Sequence, residues 1–398
     1  MENYLLDWAN LLLRWVHVIT VIAWVGSSFY FVFLDLSLTP PVDEDLKRQG
    51  VDGELWAVHG GGFYHPVKFN VAPPRLPAHL HWFFWESYST WLSGFALFSV
   101  LYLWNAGTFL VDRQRMDWPP AVAAGVALAS LYLFWTAYNT ACRLWGGRRN
   151  GDAVVGAVVV ALVCVAAWAA CRVFPGRAAF LLVGAMMATA MSANVFFWII
   201  PGQRKVVAAI RAGEPVDPVH GRRGKQRSVH NTYFTLPVLF AMLSNHYSFL
   251  WSHPRNWAVL ILMMLAGAAI RQFFVLRHGA KLGRNRHPWP YALVGVVLVL
   301  GVIAWLRPLP APAVAVPAQV GWAQVQPVLA QRCYACHGAQ VQMKGLRFDE
   351  PQAVAAHASE IYQQAVVLRA MPMNNATGIT EQERALIAGW FQGGAPVR

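Results

Sequence analysis

Charged residues make up only 13% of this 398-residue sequence, and just 19 residues are acidic. With 57% hydrophobic residues, the balance is too apolar for a soluble globular chain and implies a polytopic membrane protein. Cysteine is sparse too: five residues make no disulfide framework. Cys142, Cys164 and Cys171 fall in or beside apolar runs and read as packing residues. Lys and Arg are missing from Met1–Trp8, which carries Glu2 and Asp7, so a cleavable signal peptide is not expected. No internal repeat is visible. The formal charge of +13 does not indicate nucleic acid, because the basic residues lie in loops between apolar spans.

Apolar stretches long enough to cross a bilayer core of roughly 30 Å run at 9–34, 83–104, 119–138, 153–173, 178–200, 231–251, 256–276 and 288–306. Each is expected to be a helix, since lipid leaves no partner for an open backbone. The fold class is therefore all-α: a polytopic bundle of eight transmembrane helices. Residues 1–306 form the membrane domain, 307–318 a Pro-rich linker and 319–398 a further domain. The loops at 35–82, 139–152, 201–230 and 277–287 hold 18 Lys and Arg, against five in the opposite loops. The richer set should be cytoplasmic, which puts both termini in the periplasm of a bacterial inner membrane. The long 35–82 loop, rich in aromatics, is expected to form an ordered cap.

In the C-terminal part, Cys333-Tyr334-Ala335-Cys336-His337 has the spacing of a c-type haem attachment site. Two thiols bind the macrocycle and the adjacent imidazole ligates its iron. A redox dithiol needs no histidine, and a zinc site needs further ligands. Covalent haem attachment occurs outside the bacterial cytoplasm, in agreement with the loop charges. Met371-Pro372-Met373 supplies the expected sixth ligand. Met371 is preferred because a Met followed by Pro resembles the arrangement in small cytochromes c; Met373 is the alternative. Thr380 and Glu383 form a capping box for a final helix presenting Leu386, Ile387, Trp390 and Phe391. The expectation is a class I-like cytochrome c domain.

Ionisable groups inside spans are costly and usually mark function. His17 and His246 fall in the periplasmic half. The cytoplasmic half holds Glu86, Asn194, His230, Asn231, Thr235 and Arg271, flanked by Arg204, Lys205 and Arg227. An interhelical hydrogen-bond network is one account of the cytoplasmic group. A site for a small polar anion is the other: Arg offers charge and a donor fork, Asn donor and acceptor together, and Glu or His a proton acceptor. His17 with Trp24 and Gly26 resembles the first helix of haem-b membrane proteins such as the HemJ-type protoporphyrinogen oxidases. Haem ligation by His17, with His246 as partner, competes there with a simple interhelical hydrogen bond.

Longer motifs resemble a known family. They are Leu80-His81-Trp82-Phe83-Phe84-Trp85-Glu86-Ser87-Tyr88, Thr90-Trp91-Leu92-Ser93-Gly94-Phe95, Asn194-Val195-Phe196, Ile200-Pro201-Gly202-Gln203-Arg204-Lys205, Arg227-Ser228-Val229-His230-Asn231 and Ser244-Asn245-His246-Tyr247. Together they resemble the membrane-bound, cytochrome-c-linked urate oxidases, the urate hydroxylases of the PuuD type. The resemblance implies an eight-span domain followed by cytochrome c, urate as substrate and 5-hydroxyisourate as product. Electrons would leave through haem c to a downstream soluble cytochrome or terminal oxidase, in purine degradation.

On the physical reading, Glu86, His230 and Arg271 are candidate catalytic residues, and Asn194, Asn231, Thr235 and Arg227 candidate substrate contacts. Cys333, Cys336, His337 and Met371 would hold haem c. His17 and His246 would hold a haem b, bridging the membrane thickness between a cytoplasmic substrate and a periplasmic cytochrome. A homo-oligomer is compatible with the sequence. A non-catalytic electron-transfer anchor and a quinol dehydrogenase are the competing readings.

Overall fold

The computed structural model describes residues 2–69, 73, 76–113, 115–307, 319–375 and 377–397. Eight major helices precede the C-terminal part. They are α1 (Glu2–Ser37), α2 (Trp85–Phe98, continued by a π turn through Leu103), α3 (Pro120–Trp145), α4 (Gly151–Val173), α5 (Gly176–Ala212), α6 (Pro218–Leu243), α7 (Asn256–Lys281) and α8 (Trp289–Trp305). Five of them, α1, α3, α4, α5 and α7, are long and apolar enough to cross a membrane; α8 is a shorter apolar helix.

The stretch 201–230, expected as a loop, is largely helical, and the expected loop 277–287 is helical as far as Lys281. Hydropathy locates where a helix leaves lipid, and α5, α6 and α7 simply run on past that level. Within α5, Pro201 cannot donate to the preceding turn, and the π turn Val195–Ile199 just before it absorbs the missing bond. Asp217 caps α6 by accepting from the Val219 N–H at 2.8 Å.

Helix α5 is the most buried of the five and sits centrally, touching α2, α3, α4 and α6. Helix α6 packs on α7, and α7 on α8 and α1. Helix α1 closes the arrangement against α2. Small residues permit this closeness: a Cβ at Gly295 of α8 would lie 3.1 Å from the Ala266 carbonyl of α7. The main apolar core runs from Phe98 and Tyr138 through Phe180 and Met187 to Leu260.

The cap region adds four short strands to an otherwise helical molecule. β1 (Gly53–Glu54) pairs with β4 (Val67–Lys68), and β2 (Ala57–His59) with β3 (Gly62–Tyr64), all antiparallel. Gly60 and Gly61 make the tip of the inner hairpin, both at positive φ, as its two-residue turn requires. Glu54 is the internal tie: it accepts from the Val42 N–H at 2.7 Å, and its other oxygen lies 2.6 Å from His65 Nε2.

Residues 308–318 of the expected linker lie outside the described residues. Beyond them come α9 (Trp322–Arg332), α10 (Pro351–Ala356), α11 (Ala358–Tyr362) and α12 (Glu381–Gln392). They gather on their own apolar core of Val325, Leu329, Val354, Ile361, Ile387 and Trp390. The capping box of α12 is formed at both bonds between Thr380 and Glu383. Ile387 and Trp390 are consumed by this core, while Leu386 and Phe391 pack beside it.

Candidate functional site

Asn194, Arg227, His230 and Asn231 meet in one buried network, which two further residues, Tyr138 and Asn139, complete. Arginine only donates, so Arg227 fixes the orientation of its neighbours. Its Nη1 gives to Asn194 Oδ1 at 3.1 Å and its Nη2 to Asn139 Oδ1 at 2.8 Å. Asn194 must then donate through Nδ2, to Tyr138 Oη at 2.8 Å and Asn231 Oδ1 at 2.9 Å. Asn231 donates to the Met191 carbonyl. The Tyr138 hydrogen is left for His230 Nδ1, 2.8 Å away. The Arg227 guanidinium also lies near the faces of Tyr138 and Trp198, at 5.1 and 4.9 Å. Thr235 spends its hydroxyl on the Asn231 carbonyl, one turn back.

Arg271 stands apart from this network. It is 5% exposed, and among the described residues its Nε and Nη2 have no hydrogen-bond partner. These two nitrogens form one edge of the guanidinium fork, the edge that grips a carboxylate-like pair of acceptors. Its Cζ lies 3.9 Å from the centre of the Phe29 ring on α1. Glu86 sits half-buried in the first turn of α2, where the helix dipole favours a carboxylate.

His17 leans on α2. Ser93 Oγ gives its hydrogen to the Ser89 carbonyl at 2.6 Å, so across the 3.1 Å contact it accepts from His17 Nδ1. The His17 lone pair is thereby left on Nε2, the nitrogen free to bind a metal. His246 lies exposed in the 3-10 turn Ser244–His246 that follows α6, whereas the His17 ring is turned to Ser93 of α2.

In the C-terminal part, Cys333 and Cys336 are free thiols at the end of α9. Burial, with Cys336 adjacent, pushes the Cys333 thiol up to about 12, so it is a neutral thiol and not a ready thiolate. Burial lowers the His337 pKa, favouring the neutral imidazole that can ligate iron. Its ring packs beside Phe348 at 4.9 Å, and its Nδ1 is buried without a partner among the described residues. No group of three His, Cys, Asp or Glu able to hold a metal occurs among the described residues. Two cysteines followed at once by a histidine fit covalent haem attachment, whereas the further ligands a zinc site needs are not grouped with them among the described residues. Met371 is fixed at both backbone groups: its N–H donates to Gln364, and its carbonyl accepts from the buried Arg384 at 3.0 Å.

The sequence reading missed Tyr138, Asn139, Ser93, Gly94 and Phe29. A tyrosine, a glycine or a phenylalanine in an apolar helix carries no signal of its own; only the partner brought from another helix gives it meaning.

Fold and site together define a predominantly helical protein, with helices able to cross a membrane, an internal polar network and a buried arginine, Arg271, two of whose nitrogens have no partner among the described residues. A family model described as urate oxidase N-terminal matches residues 3–307, well over half of the chain. The chain belongs to that family, which points to urate-related oxidoreductase chemistry. Neither the curated proteins nor the solved structures yield a match.

Proposed function

We propose that this chain is a membrane-bound urate hydroxylase that oxidises urate to 5-hydroxyisourate and passes the electrons through haem to a cytochrome c fused at its C-terminus. The observation that carries the reading is Arg271. An unpaired cation buried in a bundle costs several kcal/mol. An anionic ligand with two adjacent acceptors relieves that cost through the free Nε–Nη2 edge. Urate is a planar anion of that description, and membership of the urate oxidase N-terminal family supports it as the ligand.

In this reading all eight helices cross the inner membrane and both termini are periplasmic. Urate takes up water and releases two electrons and two protons to give the product. Arg271 holds the anion. Asn194, Asn231, Arg227 and Thr235 spend their donors within the network, on one another and on Tyr138, Asn139 and the Met191 carbonyl, and brace α5 against α6 and α3. Glu86 is free to take a proton directly. His230 can take one only through the Tyr138 hydroxyl that occupies its Nδ1.

Cys333, Cys336, His337 and Met371 would hold haem c. His17, with His246 as second candidate, would hold a haem b. Bound there, the haems supply one-electron acceptors. Phe29, which touches Arg271, lies twelve residues beyond His17 on α1, about 18 Å along the helix axis. A carrier at His17 would therefore shorten the electron path from the anion site.

An electron-transfer anchor gives the unpaired Arg271 fork nothing to bind, and a neutral quinol brings it neither charge nor an adjacent pair of acceptors. The deciding experiment is addition of urate alone to the purified protein. Reduction of the c-haem without partner or quinone is expected; its absence overturns the reading. Arg271→Ala should abolish that reduction while haem content is retained.

A further inference from the structure

We infer that Phe29 is a positioning residue for the anion site, setting the plane in which Arg271 presents its donors and so the plane in which a flat anion binds. The inference rests on the reading of Arg271 as the urate anchor and deepens it.

A neutral ring cannot be the reason the guanidinium is buried. A desolvated cation–π contact stabilises by less than an unpaired buried charge costs. Its effect is geometric. With Cζ 3.9 Å from the ring centre, a nitrogen turned toward the ring would fall inside van der Waals contact. A guanidinium lying along the ring face keeps all its nitrogens clear of the ring, and its N–H bonds then run sideways. Nε–H and Nη2–H, the two donors without partners, then point the same way in one plane. A ligand gripping both must bring two acceptors in that plane. The adjacent oxygen and nitrogen acceptors of a flat heterocyclic anion meet that demand.

Phe29 is only half-buried, so its replacement is compatible with folding. Nearby, Tyr233 is occupied with Gln272. Within the described contacts Phe29 is the aromatic face on the guanidinium.

The experiment is equilibrium binding of urate to the detergent-purified full chain, with steady-state kinetics alongside. Phe29→Leu keeps an apolar side chain and removes the ring face. It should weaken urate binding about ten-fold and raise KM more than it lowers kcat. Phe29→Trp restores a ring face and should bring binding back to within about two-fold of the original. Should Phe29→Leu not accumulate, Phe29→Met makes the same removal. In an Arg271→Lys background, where the fork is gone, Phe29→Leu should add no further loss. Unchanged binding in Phe29→Leu, or an equal loss in the Arg271→Lys background, overturns the inference. Full urate binding by Arg271→Ala instead overturns the anchor reading beneath it, whatever the Phe29 variants do.

Discussion

The imidazole of His17 occupies the space a side chain at Gly94 would take: a Cβ at residue 94 would lie 2.8 Å from His17 Cε1. The glycine lets α1 and α2 approach, and Ser93 beside it receives the His17 Nδ1–H. Two neighbouring residues of α2 thus fix where the ring lies and which nitrogen it leaves open.

Gly94→Ala should therefore displace the His17 ring from Ser93 without breaking the bundle, because a side chain yields more easily than a backbone. In the proposed haem b site the expected result is loss of acid-acetone-extractable haem, with the covalent c-haem retained. Full haem b content in this variant would mean that His17 is not its ligand.

Asn194 carries a second prediction, on stability. It is fully buried and joins Arg227, Tyr138 and Asn231. Asn194→Ala leaves the buried Arg227 short of an acceptor, a change that costs about 3 kcal/mol. A clear fall in Tm is expected in detergent. Asn194→Asp keeps an acceptor for Arg227 and should lose less. Equal stability of the alanine variant and the original chain would remove the network from the account of how α3, α5 and α6 are tied.

Much of this was legible in the sequence, for a physical reason. Polar residues in an apolar run are conspicuous, so Asn194, His230, Asn231 and Arg271 stood out without any coordinates. Their grouping did not. The network proved to include Tyr138 and Asn139 from α3, while Arg271 turned away from it toward Phe29 on α1. Helix position was readable from hydropathy, whereas helix length was not: α5 and α6 continue as charged helices where lipid solvation no longer reports on them. The π turn before Pro201 and the Gly94–His17 contact depend on a neighbour's place, which no periodicity encodes.

The cap yields a pH prediction. The Val42 N–H and then His65 hold the Glu54 carboxyl below the usual carboxylate range. Asp43 opposes this from nearby. A carboxylate with a depressed pKa contributes stability above its unfolded pKa, and that contribution is lost as the pH falls through the folded value. The cap should thus resist proteolysis at neutral pH and open only once the pH drops below the usual carboxylate range. Glu54→Gln should open it at neutral pH. Limited proteolysis between Trp56 and His65, followed against pH, reads both. A cap opening at the same low pH with Gln at position 54 would show that this carboxylate is not the tie.

The last prediction separates two methionines. Met371 is gripped through its backbone: Gln364 accepts from its N–H, and Arg384, 6% exposed, donates to its carbonyl. The same guanidinium bonds the Ala365 carbonyl, so one side chain ties together both ends of the segment leading to Met371. Met373 instead opens the 3-10 turn Met373–Asn375. A sixth ligand must hold a sulfur at one place against a fixed iron, and the residue with both backbone groups anchored suits that task. In the proposed c-haem site, Met371→Ala should abolish the far-red sulfur-to-iron charge-transfer band and lower the haem potential, whereas Met373→Ala should leave the band in place. Arg384→Leu should weaken the band without removing it, because the thioether stays while its support loosens. If the band survives in Met371→Ala and vanishes in Met373→Ala, Met373 is the ligand and the Arg384 grip serves only the fold.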